Sequence, residues 1–140
     1  MGVISWPFKL KECMRMRALL LDVYNDQVSE VETDGLESYY HLLGCQNVTY
    51  IELEIEGKLY DVICDDEGLF VESPIISAVN ALGETMLVGN LIILGLVVSG
   101  SSTHSTDLTD EDILRIRSNI RRIPTRLHPE GYHMLCNVRY

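Results

Sequence analysis

The chain has 140 residues, 46% of them hydrophobic, and a formal net charge of −10, which supports one domain with its own core and argues against a disordered tail. The negative charge is concentrated: between Ala18 and Asp112 nineteen Asp and Glu face one basic residue, Lys58, while the segment before it carries +3 and the segment after it +5. That field discourages nucleic acid or an anionic membrane at the acidic face, and the longest apolar run, Met86 to Val98, has 13 residues where a membrane helix needs about 20.

Residues 1–16 read as a basic extension in which Trp6 and Phe8 flank Pro7, with Lys9 and Lys11 behind them. No basic residues precede the apolar ones, so a secretory signal is not expected and the chain reads as cytoplasmic. Trp6 and Phe8 can anchor a partner or a second copy, or tuck onto the domain's own surface. A single domain is expected over residues 17–123, followed by a tail over 124–140.

Within the domain, the apolar run 17–24 stops at Asn25 and Asp26, which predicts a strand, a tight turn and a second strand over 28–32. Asp34 can cap a helix over 36–43, where Leu36, Tyr39, Tyr40 and Leu43 share a face and Gly44 sits at the C′ position. Then Ile51, Leu53 and Ile55 alternate with Glu52, Glu54 and Glu56, and Glu56-Gly57 turns into a strand over 59–64. One face of this hairpin is core and the other is carboxylate. The next turn, Asp65-Asp66-Glu67-Gly68, adds acidity before a short strand over 69–71. Pro74 opens an irregular or short helical segment to Leu82, closed by Gly83, and an apolar strand follows over 86–94.

Residues 100–106 are Ser, Thr, Gly and one His, the composition of a flexible loop. Thr109 then caps a closing helix whose Asp110, Glu111 and Asp112 suit the positive first turn. Its Ile113, Ile116, Ile120 and Ile123 form one apolar stripe ended by Pro124. The predicted order is ββαββ, an irregular stretch, a strand and a helix. This is an α+β fold with helices packed on a mostly antiparallel sheet.

No catalytic motif and no standard metal site stand in this pattern, and no cofactor is expected. His128, His133 and Cys136 have zinc-ligand chemistry at a spacing that matches no standard site. Asp65, Asp66, Glu67 and Glu72 lack the alternation of a calcium loop and read as a solvated turn. Cys45 near His41, and Cys64 near Asp65, suggest a thiol with a base, but buried structural cysteine is the simpler reading for scattered Cys13, Cys45, Cys64 and Cys136. The glycines at 83, 89 and 95 do not make a phosphate loop.

The succession RALLLDVYNDQVSEVE, TYIELEIEGKLYDVICDDEG, VNALGETMLVGNLIILG and DLTDEDILRI resembles a family of small uncharacterised proteins, the domain of unknown function 3846, encoded by phages and mobile elements. It covers about residues 17–116, with Leu87-Val88-Gly89-Asn90, Gly95 and Leu108-Thr109-Asp110-Glu111-Asp112 its most family-like pieces. The resemblance implies a genomic context, in the cytoplasm of a host cell, and no residue roles.

Glu52, Glu54 and Glu56, with Asp65, Asp66 and Glu67, are the candidate binding residues, because ordinary surfaces intersperse both signs of charge. They suggest a non-enzymatic protein that docks on a basic, nucleic-acid-binding host protein, for example as an inhibitor of a host defence nuclease. One alternative is a homo-oligomer in which Trp6, Phe8, Arg115, Arg117, Arg121 and Arg122 meet a neighbour's acidic face. Another is a small-ligand binder or enzyme with a pocket near residues 80–90 and the Ser/Thr loop.

Overall fold

The computed structural model describes residues 15–67, 74–126 and 128–140. The extension with Trp6 and Phe8, the strand expected over 69–71, Glu72 and Cys13 lie outside those residues. The first hairpin forms as predicted, from β1 (Arg15–Asp22) and β2 (Gln27–Asp34), in register from Arg15 opposite Asp34 to Asp22 opposite Gln27. Asp22 closes its turn by accepting the Asn25 backbone N–H at 3.1 Å, an Asx-type bond that favours reversal over further strand.

Helix α1 (Leu36–Leu43) ends at Gly44 in the left-handed conformation, as its spacing predicts. Asp34 does not cap it: Asp34 completes β2, Gly35 takes the N-cap position, and no side chain caps there. Instead Ser38 donates its hydroxyl to the Gly35 carbonyl at 2.7 Å and accepts the Asp34 N–H at 2.8 Å.

The second hairpin pairs β3 (Val48–Ile55) with β4 (Lys58–Asp65) in continuous register. Its turn residues Glu56 and Gly57 have φ of 49° and 82°, the double left-handed geometry that matches strand twist and that glycine adopts without strain. Leu53 and Ile55 are fully buried, as the alternation with glutamate predicts.

The second half of the chain carries more strand than its composition suggests. Residues after Pro74, expected to be irregular or helical, form β5 (Ile76–Val79), and the single strand expected over 86–94 is divided into β6 (Thr85–Val88) and β7 (Leu91–Ser99). Gly89, at φ 80°, turns the chain between two different sheets at this point. The Asn90 side chain fixes the crossing by accepting the Val23 N–H at 2.9 Å.

The Ser/Thr segment expected to be a flexible loop is β8 (Ser102–Thr106), antiparallel to the outer half of β7. Backbone pairing at an edge asks for no apolar side chains, which is why composition hid it. Gly95 permits the approach, since a Cβ there would stand 2.9 Å from the Asp107 carbonyl oxygen.

Helix α2 (Asp110–Ser118) starts with the predicted cap, elaborated into a reciprocal box in which Thr109 and Asp112 each bond the other's backbone N–H at 3.1 and 3.0 Å. The apolar stripe does not continue to Ile123 as helix. Asn119 ends it by donating its amide to the Arg115 carbonyl at 2.9 Å, and Ile120 and Ile123 belong to β9 (Ile120–Ile123), paired with β10 (Tyr132–Leu135).

The strands build two sheets. The larger runs β2-β1-β7-β4-β3 with β8 also on β7, and the smaller runs β6-β5-β10-β9. All pairings are antiparallel except β5 with β10. The class is α+β, but mostly antiparallel sheet, with helices of eight and nine residues as minor elements in place of the packed helices expected.

One face of the larger sheet places Leu19, Leu21, Leu53, Val62 and Ile93 in a cluster with Ala78, Leu87 and Leu135 of the smaller sheet and Ile116 of α2. The other face places Ala18, Leu20, Ile63, Ile92 and Leu94 with Tyr39 and Leu43 of α1. β7 is buried on both faces, which is why Leu91 to Leu94 is apolar without alternation. Each such side chain stabilises the fold by roughly 1.5–3 kcal/mol.

Candidate functional site

Strand register determines which side chains share the face that carries α1. Tyr50 pairs with Ile63, Glu52 with Asp61 and Glu54 with Leu59. Asp61 in turn pairs with Leu94, and Leu96 and Val98 pair with Ser105 and Thr103. The half of the face around Ile63, Ile92 and Leu94 is covered. The other half is open, with Tyr50, Leu59 and Val98 exposed at 53%, 41% and 63%. It forms a groove of about 1070 Å³ whose lining includes Tyr50, Glu52, Leu59, Asp61, Leu96, Thr103, Ser105 and Tyr140.

Asp61 is the chemically distinctive member. It is buried at 7% exposure, pairs with no cation among the described residues, and has the Ser105 hydroxyl as its partner, which donates to its carboxylate. Burial pushes its carboxyl above the ordinary range. The Ser105 bond works against that shift, and the charge of Glu52, opposite it in the ladder, adds to it. A perturbed carboxylate in an open groove marks a candidate functional site with a physical reason behind it. Two like charges directly across an antiparallel pair are also a standing cost.

Glu52 was legible in the sequence as part of an acidic row, and the structure divides the rest of that row. Glu54 takes the side chain of Arg139, and their backbones pair as well, with Glu54 N–H donating to the Arg139 carbonyl at 2.7 Å. Glu56 sits in the turn. Asp65, Asp66 and Glu67 lie at the opposite end of the hairpin, seven residues from the turn, or roughly 24 Å at strand rise. There Asp66 accepts the Thr49 hydroxyl and Asp65 the Glu67 N–H at 2.9 Å. Asp61, Leu59, Tyr50, Leu96 and Ser105 were missed. The available signal was a carboxylate, Asp61, set between Tyr60 and Val62 inside an otherwise apolar strand.

The basic residues proposed for self-association do not act alike. Arg115 is held inside the molecule, 2.8 Å from the Tyr60 hydroxyl and 3.2 Å from both Asp112 and Glu111. Arg122 reaches Asp26 at 2.6 Å and the Gly131 carbonyl at 3.0 Å. Arg117 and Arg121 are exposed.

Lys58, the one cation of the acidic body, points away from the groove and bonds buried Asp112 at 2.6 Å. Tyr60 adds its hydroxyl to the same carboxylate oxygen at 2.8 Å. Burial would raise the Asp112 carboxyl, but Lys58, the Thr109 N–H and Tyr60 together hold it well below the usual range. Tyr60, fully buried, is pushed up to about 12, chiefly by loss of solvent.

His128, His133 and Cys136 do not converge. His128 stacks edgewise on Tyr132, His133 bonds Asp26 at 2.8 Å, and Cys136 is buried beside the Met134 carbonyl. Among the described residues no three His, Cys, Asp or Glu side chains come together in a metal-holding group. Cys64 is buried and its thiol pushed up to about 11, first by burial and then by Asp65. A second depression of about 370 Å³ lies beside residues 80–82, Gly57 and Arg139, apart from the groove that contains the Ser/Thr strand. Among the described residues no helix is long and apolar enough to cross a membrane.

A family model described as a domain of unknown function, DUF3846, matches residues 16–121, and the chain belongs to that family. No curated protein and no solved structure matches it.

Proposed function

We propose that this family member is a non-enzymatic binding protein that docks on a basic protein through the open half of its larger sheet. The observation that carries this reading is the groove itself. Tyr50, Leu59 and Leu96 supply apolar contact area, Glu52 and Asp61 supply negative charge that no cation of the described residues pairs with, and Lys58 is turned away to Asp112. An apolar centre with like-signed charge selects partners that bring both an apolar anchor and a cation. In the most concrete form, the partner is a nucleic-acid-binding protein of host defence, and the carboxylates occupy the place of its phosphate ligand. A phage or mobile-element setting fits that role. Self-association through the arginines is the weaker reading, because Arg115 and Arg122 are bound within the chain.

The test is a pull-down from host lysate with native protein, a Glu52→Gln/Asp61→Asn variant and a Leu114→Ser control, at low and moderate salt. The native chain and the control are expected to retain one basic protein, the groove variant to lose it, and salt to weaken it. The purified partner's nucleic acid should then compete with the native chain. Identical partners for all three proteins would refute the reading.

A further inference from the structure

The backbone groups of β3 face two directions in turn. Its hairpin turn has two residues, Glu56 and Gly57, so Ile55 and Lys58 close it as a hydrogen-bonded pair, and Leu53 and Ile51 likewise turn their N–H and carbonyl groups toward β4. The residues between them, Glu54, Glu52 and Tyr50, direct theirs out of the sheet edge. Glu54 shows what that edge accepts. It exchanges both backbone bonds with Arg139, at 2.7 Å and 3.3 Å, in an antiparallel bridge, and its carboxylate takes the Arg139 guanidinium. One arginine of the chain is thus held on the β3 edge by main chain and side chain together. Among the described residues nothing else pairs with this edge, where Glu52 and Tyr50 repeat the arrangement.

The side chains at those two positions line the groove. Glu52 stands opposite Asp61 in the ladder, and the exposed Tyr50 ring is set edgewise on Tyr39 of α1, 6.3 Å between centroids. In an antiparallel addition the residue opposite Glu52 sits about 5 Å from it on the same face, and the residue two further on meets Tyr50. We propose that the β3 edge at Tyr50 and Glu52 takes an extended segment of the basic partner as an added antiparallel strand, with a cation set on Glu52 and an apolar side chain two residues later set on Tyr50. This rests on the reading of the open face as a docking surface for a basic protein, and names how that partner is held. Main-chain bonds supply affinity that any sequence can form, and the alternate side chains supply selection. The glutamates give the sign of that selection. A second copy's β3 brings more carboxylates to the same edge, which opposes pairing between copies, whereas a basic strand offsets the repulsion between Glu52 and Asp61.

The probe is a blocked pentapeptide, Thr-Arg-Thr-Phe-Thr, added to the isotope-labelled full chain and followed by amide exchange and chemical shifts in nuclear magnetic resonance. In the free protein the Tyr50 and Glu52 amides are expected to exchange rapidly, and those of Ile51, Leu53 and Glu54 to be protected. The peptide is expected to slow the Tyr50 and Glu52 amides. N-methylation of its arginine or its phenylalanine removes an N–H aimed at β3 and should weaken binding at least about fivefold, while N-methylation of the central threonine, whose N–H points away, should leave it near that of the unmodified peptide. Norleucine in place of the arginine, or Glu52→Gln in the protein, should also weaken it. Tyr50 and Glu52 amides already protected in the free monomer would overturn the proposal, because the chain itself would then cover the edge. Protection that appears only with a doubled molar mass would overturn it in favour of a second copy, and a peptide that shifts nothing would overturn it outright. Shifts at Asp61 and Ser105 without slowed Tyr50 and Glu52 amides, or equal weakening by all three N-methyl groups, would defeat strand addition and leave groove docking standing. Slowed amides beside a lysate capture that Glu52→Gln/Asp61→Asn does not change would support the edge site and defeat only the reading of the host partner.

Discussion

Asp61→Asn separates a carboxylate kept for binding from one kept for folding. Asparagine has the same shape and can still accept the Ser105 hydroxyl, so the hydrogen bond survives while the charge does not. Relief of the like charge of Glu52, directly opposite in the ladder, is worth about 0.2–1 kcal/mol, and desolvation of the buried Asp61 carboxylate adds to the same side. The variant is therefore expected to be more stable than native by about 1 kcal/mol at neutral pH.

The pH dependence has a definite sign. Burial, with Glu52, raises the Asp61 carboxyl in the folded state, so the folded protein holds this proton more tightly than the unfolded chain. The cost of the charged form is complete above the raised folded value and disappears as pH falls below the unfolded one, near about 3.9. The variant's advantage should thus shrink toward acid. Urea unfolding at neutral pH and at about pH 4 measures it, with unchanged m-values as the condition for comparison. A loss of more than about 1 kcal/mol at neutral pH would refute the reasoning and make Asp61 a structural anchor.

Asp112 should respond in the opposite direction. Asp112→Ala removes the N3 half of the capping box, leaves the buried Tyr60 hydroxyl without its acceptor and takes one partner from Arg115, so urea unfolding should show a loss of about 2–4 kcal/mol. Lys58→Met should cost under about 1 kcal/mol, because Lys58 is half exposed and Arg115 remains. The folded Asp112 carboxyl is depressed, so its contribution is complete above the ordinary carboxylate range and drains as pH falls below it. Ser77, fully buried in β5, has a hydroxyl with no partner among the described residues. Ser77→Ala is expected to be neutral or to stabilise by up to about 1 kcal/mol, read as a shift in thermal midpoint. Native-state thiol labelling should modify half-exposed Cys45 well before Cys64, which burial places out of reach and pushes up to about 11; equal rates would contradict that placement.

The sequence was most legible where one local pattern decides the structure. Ile51 to Glu56 alternates strictly, and its hairpin stands in the predicted register with Gly57 in the turn. Thr109 to Asp112 is a cap at close range, and its box is present. Legibility failed where partners distant in sequence decide. β8 is held by the backbone of β7 and carries no apolar side chains, while Ile120 and Ile123 of β9, held by β10, stand at a spacing that equally continues the stripe of the preceding helix. The strand expected over 86–94 was misread because apolar composition is the same on both sides of Gly89 while the two pieces serve different sheets. The candidate groove shows the same division. Glu52 lies in a visible alternation, but its proximity to Asp61, Leu96 and Ser105 follows from three strand pairings that no local window contains.

The ion pairs among the described residues leave the groove's carboxylates without a cation. Arg17 is taken by Glu30 at 2.5 Å and Asp110 at 2.7 Å, Lys58 and Arg115 by Asp112, Arg122 by Asp26, and Arg139 by Glu54. Each of these cations neutralises a carboxylate away from the open face or at its margin. Glu52 and Asp61 are left facing one another with apolar side chains around them, and low local polarity strengthens whatever field they produce. A carboxylate half of this pair costs stability in the free protein and is relieved only when a cation arrives. Binding energy at this face is therefore differential: an apolar surface alone leaves the repulsion in place, a cation alone is screened by salt, and a segment carrying both removes the cost while it covers Leu59 and Leu96.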